Sequence, residues 1–162
     1  MTELVTNIGV RVYHAPAAPA TNTSAGFEAL AWTEVAFPGL RPALGGSEHQ
    51  LVSADNLATG YTVNAKGIAN YPAVPLAFTD VENDAGQTAL IAACIDAQGV
   101  GSIKVIQTSG AANAPVTGDP VKYAQGFYHG YLPTEGSAAT ASGFTATFQP
   151  TADTVSAAQP AP

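Results

Sequence analysis

The sequence predicts a mainly β domain: an antiparallel β-sandwich or barrel flanked by one α-helix over about residues 84–98. Three observations lead there. Most segments that alternate apolar and polar residues are strand-length, only one run has helical period, and the elements come in the order strands, helix, strands with short connections.

IGVRVYH, residues 8–14, alternates as a strand, and PAAPATNTSAG after it is loop by its Pro, Asn, Ser and Gly content. AWTEVAF, 31–37, is the second strand. The block PGLRPALGGSEHQLVSADNLATG then opens on Pro and Gly, contains Gly45-Gly46, and holds only a short strand around Gln50 to Ser53. Such a long excursion is uncommon in a compact domain unless it acts, so residues 38–60 are expected to form a contact arm.

YTVNAKGI returns to strand, NYP turns, and VPLAFTD leads into the helix. Asp84 is placed to cap that helix, and Gln87 three residues later completes a box-like start. Leu90, Ile91, Cys94 and Ile95 form the stripe that would face a sheet, and Gly99 tolerates a left-handed stop. SIKVIQT, a loop from Ser109 to Pro120, VKYAQGFYHGYL and SGFTATFQP complete the strands. The reading is one domain, 1–150, with TADTVSAAQPAP, 151–162, as a flexible Ala- and Pro-rich end or extended arm.

Composition narrows the function. Only 10% of the 162 residues are charged, against about a quarter in ordinary domains, while 46% are hydrophobic, which hints at a surface covered by other copies or partners. The net charge is -7, and the cations Arg11, Arg41, Lys66, Lys104 and Lys122 are scattered. No basic patch exists to neutralise phosphates, which argues against ordinary nucleic-acid binding. Cys94 is the single cysteine, so an internal disulfide is excluded. No secretion signal or membrane span is expected from the sequence.

No catalytic pattern emerges. His14, His49 and His129 lack metal spacing, GGSE at 45–48 lacks the Lys of a phosphate loop, and DVEND, 80–84, lacks the spacing of a calcium loop. The expectation is a protein that is not an enzyme and holds no cofactor or metal. In YAQGFYHGY, Tyr123, Phe127 and Tyr131 are expected on one strand face and Tyr128 on the other, with Gly126 and Gly130 permitting close approach of another backbone.

The run VPLAFTDVENDAGQTALIAACIDAQGVGSIKVIQT, followed by a loop and FYHGYLPTEGSAATASGFTATFQP, resembles the core of the tail tube (major tail) proteins of long-tailed bacteriophages with non-contractile tails. AWTEV, the long loop after it and YTVNAKG fit that family's earlier elements, so the resemblance spans roughly residues 8–150. It implies a phage tail-tube-like fold and a structural virion protein. Its hexameric rings would stack into a hollow tube around a tape measure protein and conduct the genome into the host. The implied partners are further copies, the tape measure protein, a tail terminator, and baseplate or tail-tip proteins, with no membrane. Double-stranded DNA would pass through the lumen without specific binding. The implied location is the virion tail, assembled in the host bacterial cytoplasm.

On this reading Glu34, Asp55 and Glu135 are candidate lumen-lining acids, and Leu44, Gly45, Gly46, Ser47 and Glu48 are candidate inter-ring contacts. The cations would mostly face neighbouring subunits. The alternative is a β-sandwich carbohydrate-binding or adhesin module built on the Tyr-rich strand.

Overall fold

A computed structural model describes residues 8–161; the first seven residues of the expected domain and the last residue of the expected tail lie outside the described residues. The strands are β1 (Val10–Ala15), β2 (Thr33–Val35), β3 (Glu48–Asn56), β4 (Tyr61–Asn70), β5 (Val74–Thr79), β6 (Val100–Gln107), β7 (Pro120–Thr134), β8 (Gly143–Pro150) and β9 (Val155–Ala158). The helices are α1 (Ser24–Glu28) and α2 (Ala85–Ile95). The main sheet runs β2-β1-β6-β7-β8-β5 with β9 also on β7, every pair antiparallel, while β3 and β4 pair only with each other.

The two ends of this sheet meet. After β2 the chain turns a corner at Phe37, whose φ of 49° is uncommon for a residue with a side chain, and Pro38 then bridges Phe78 on β5. Gly39 N–H donates to Ala77 O (2.9 Å) and Thr79 N–H to Phe37 O (3.1 Å). The strand at one end of the order thus reaches the strand at the other, and the sheet closes as a barrel.

The corner at Ala36 would leave polar backbone groups unpaired, and the start of α2 pairs them. Gln87, 4% exposed, donates from Nε2 to Ala36 O (2.9 Å) and Thr79 O (2.7 Å), and its Oε1 accepts from Val81 N–H (3.1 Å). Asp84 Oδ2 accepts from Gln87 N–H (2.7 Å) and Ala36 N–H (3.4 Å). Gly86 is required for this approach, because a Cβ there would collide with the Glu34 carbonyl.

The main core lies inside the barrel, where Val12, Ile103, Val105, Tyr128, Phe144, Phe148 and Leu76 pack against Leu90 of α2. A second cluster covers the opposite sheet face, with Phe27, Ile106, Val121 and Tyr123 buried and Trp32 and Val155 against them. Among the polar groups taken inside is His14, 1% exposed on β1. Tyr128 Oη donates to Ser102 O (3.2 Å), so it accepts from His14 Nδ1–H (3.0 Å), which leaves the lone pair on Nε2, buried with no partner. Burial holds the imidazole neutral, with its pKa pushed down to about 4.

Several expectations from the sequence need correction. The helix runs Ala85–Ile95, not to 98, because the Asp96 carboxylate turns back to accept from the N–H groups of Gln98 and Gly99. Ile95 is 70% exposed, so the buried stripe is Leu90 with Ile91 and Cys94 partly covered. A second helix, α1, sits in the loop after β1, held by Thr23 Oγ1 accepting from Gly26 N–H (3.3 Å) and by burial of Phe27. Residues 38–60 are not one loop, since 48–56 form strand β3 and pair with β4, which leaves the barrel with it.

The end of the chain also differs from the expected flexible tail. Residues 155–158 form β9 on β7, and Asn22 and Tyr71 hold Asp153 just before it. Tyr131 does not share a face with Tyr123 and Phe127. A bulge at Gly130, φ 72°, shifts the register so that Tyr131 pairs with Ala146 and meets Phe144 at 5.7 Å.

Two outcomes follow for stability. Gln87→Ala strands two carbonyls and one N–H at the seam, and urea titration is expected to show a loss of about 2–4 kcal/mol. The unfolded chain protonates His14 near 6.5 and the folded one only near 4, so acidification across that interval favours unfolding. Stability should fall by on the order of 2 kcal/mol over that window, and His14→Gln should flatten it; an equal acid slope in both proteins would contradict the assignment.

Candidate assembly surface

The segment leading to β3 is anchored before it departs. Pro42 and Leu44 are buried, Leu44 in the main core, and Leu44 O accepts from Lys122 Nζ (3.1 Å). Beyond this clamp, β3 and β4 form a two-stranded ribbon whose residues are almost all exposed. Its tip turns through Asn56 and Gly60, with Gly60 N–H donating to Asn56 O (2.9 Å) and Leu57 96% exposed.

Register divides the ribbon into two faces. Val52 opposes Ala65, Ala54 opposes Val63, and Asn56 opposes Tyr61, which gives one largely apolar face. On the other face Ser53 Oγ donates to Asn64 Oδ1 (2.7 Å), Thr62 Oγ1 donates to Asp55 Oδ1 (2.8 Å), and Leu51 opposes Lys66. The alternation is that of a strand pair with one wet side and one covered side, yet nothing among the described residues covers it. A lone two-stranded ribbon is marginal in water, so its apolar face requires a second surface.

Among the described residues a strand edge is also left unpaired. The β6–β7 pairing begins with Val100 opposite Phe127, whereas β7 continues to Thr134 along β8. On its β6 side, residues 129–134 therefore lie beyond the ladder, with Leu132 67% exposed.

The candidate lumen acids are not gathered into one cluster. Glu34 sits on β2 and accepts from Arg11 Nη1 with both oxygens (2.9 and 3.0 Å). Asp55 is near the ribbon tip on its wet face, and Glu135 is exposed in the β7–β8 turn. Of the candidate inter-ring residues, Gly45, Gly46, Ser47 and Glu48 are exposed at the base of the ribbon, but Leu44 is a core residue. The residues that sequence reasoning missed are Val52, Tyr61 and Val63. Their alternation was legible, but that the strand pairs outside the barrel was not.

The surface grooves offer little chemistry. One of about 470 Å³ lies between α2 and the start of β6 and is lined by Pro16, Ala89, Ala92, Ala93, Asp96 and Val100. Its one ionisable group is Asp96, whose carboxyl is held below its usual range by the Gly99 and Gln98 N–H groups it accepts from. Among the described residues no group of three His, Cys, Asp or Glu side chains is placed to hold a metal, and no helix is long and apolar enough to cross a membrane.

No family model and no curated sequence matches the chain. Its fold nevertheless has clear counterparts. The sheath/tube terminator of the extracellular contractile injection system PVC, in its extended state, superposes with a TM-score of 0.65 at 8% identity, over 96% of this chain and 98% of that one. The tube-terminating cap of the anti-feeding prophage gives 0.57 at 12% identity, over 99% and 94%. A chain of the PVC sheath-tube complex gives 0.60 at 9% identity, over 92% and 89%. This chain thus shares the fold of these sheath/tube-terminator, tube-cap and sheath-tube chains. The two PVC counterparts come from a contractile injection system, so the likeness does not single out the non-contractile class.

Proposed function

We propose that this chain is a structural subunit of a tail or tail-like particle, whose copies form hexameric rings that stack into a hollow tube. The carrying observation is the apolar face of the β3–β4 ribbon, held on a closed barrel and covered by nothing among the described residues. The shared tail-tube-type fold supports the reading, and so does a surface with few charges. The ribbon of one copy lies on the next, and the free β7 edge at 129–134 receives a neighbouring strand, which removes an exposed edge from the assembled wall.

The tube surrounds a tape measure protein, ends on a terminator at one side and on baseplate or tail-tip proteins at the other, and resides in a virion tail assembled in the bacterial cytoplasm. Double-stranded DNA passes through it without specific binding. With a net charge of -7 per copy, an acidic to neutral lining from groups such as Asp55, Glu34 and Glu135 keeps sliding phosphates from sticking. A second reading has its own support, because two of the similar structures belong to tube-ending proteins: the chain forms a single closing ring. An adhesin or carbohydrate-binding role has no comparable support.

Electron microscopy of the concentrated protein separates these readings. Stacked rings or tubes are expected; single rings that never stack favour the terminator, and a strict monomer at high concentration contradicts both. Val63→Asp, at a position 57% exposed in the free chain, should leave monomer stability within about 0.5 kcal/mol while abolishing assembly. Sedimentation of the variant alongside urea titration checks both halves.

A further inference from the structure

Outside the ribbon, one row of side chains is out of balance. Across four neighbouring strands, on the sheet face opposite the barrel core, register aligns Glu34 of β2, Tyr13 of β1, Lys104 of β6 and Tyr123 of β7. The Lys104 ammonium lies 5.4 Å from the Tyr13 ring centroid and 5.7 Å from that of Tyr123, and the residue is only 9% exposed. The two rings are the walls of a narrow slot, and Phe27 stacked on Tyr123 at 5.2 Å makes that wall rigid.

What the slot lacks is an acceptor. Among the described residues Lys104 has neither an ion pair nor a hydrogen bond, and the Tyr123 hydroxyl is buried with no partner. Glu34, at the end of the row, is already engaged by Arg11. Glu28, on α1, acts on Lys104 and Tyr123 through space but makes no ion pair with Lys104. Arg11 has Glu34 and the Asn113 carbonyl, and Lys122 has the Leu44 carbonyl; Arg41 and Lys66 also have no such partner among the described residues, but neither is buried as Lys104 is.

A lysine so placed costs the free chain stability. Burial pushes its pKa down against a smaller upward pull from Glu28, and an apolar isostere at such a position is commonly neutral or stabilising. Within the free chain the charge has only the faces of Tyr13 and Tyr123 and the through-space pull of Glu28, whereas assembly supplies the carboxylate that the row lacks. We propose that Lys104 anchors an intersubunit contact, its ammonium donating to a carboxylate of a second copy of this chain at the mouth of the Tyr13–Tyr123 slot. A second copy is the fitting donor, because 12 acidic side chains against 5 cations make carboxylates the abundant unpaired charge on every neighbour. The slot supplies desolvation and the aromatic walls fix the ammonium, the setting in which a charge pair across an interface counts most.

This inference rests on the assembly reading, and the test keeps the two apart. Wild-type protein and Lys104→Met are compared by thermal melting when dilute and by sedimentation when concentrated. The variant is expected to melt at the wild-type temperature or above it, yet to need at least about tenfold more protein to assemble. Carbodiimide coupling of mixed isotope-labelled and unlabelled assemblies should join Lys104 to an Asp or Glu of the other label. A wild type that never assembles overturns the assembly reading itself. Equal assembly by Lys104→Met, or coupling only to Glu28 of the same chain, overturns this inference while leaving that reading intact. A lower melting temperature in the variant would mean that the charge serves the fold, which also overturns it.

Discussion

Closure of the barrel at Ala36 is the constraint on which the rest of the structure depends. A sheet ordered β2-β1-β6-β7-β8-β5 has two open ends, and one short run, residues 33–39, serves both by pairing first with β1 and then with β5. Such a run must turn between its two partners, and the turn leaves backbone groups without a strand to meet them. Gln87 and Asp84 supply the missing partners from the helix, and Gly86 lets the helix come close enough. The helix is thus part of the barrel wall as well as a cover for its core.

Once the barrel is closed, what remains outside it becomes meaningful. The ribbon leaves through the Leu44 and Lys122 clamp, so its base is fixed while its length is free of the core. Val52, Tyr61 and Val63 are 53%, 76% and 57% exposed on one face, an arrangement that a solitary soluble domain does not sustain without a partner surface. Lys104, held against two tyrosine rings, has neither an ion pair nor a hydrogen bond among the described residues, and the contact proposed for it follows the same logic in a different chemistry. The shape of the fold and its incompleteness point to the same conclusion.

Much of this was legible in the sequence. The succession of β1 to β8 along the chain and the Asp84 cap of the helix followed from period and capping chemistry, which are local. Other features depended on distant partners. Gln87 reads as half of a capping box, but its side chain bonds Ala36 and Thr79 across the seam, which no spacing reveals. The Gly130 bulge moved Tyr131 to the face of Tyr128, because one extra residue reverses every later side chain. Phe27 made a short helix where loop-forming residues dominate, and Leu44 looked like part of an exposed Gly-rich arm although its side chain enters the core.

The claim that the ribbon is completed by another copy is tested most directly by amide hydrogen exchange, read residue by residue in dilute and in assembled protein. The N–H groups of β6 and the first half of β7 should be protected in both states, because the closed barrel does not depend on assembly. Those of β3 and β4 should exchange rapidly in the dilute chain and become protected on assembly. Ribbon amides that are as protected in the dilute chain as in the assembled one, or that stay unprotected in assembled particles, would contradict the account.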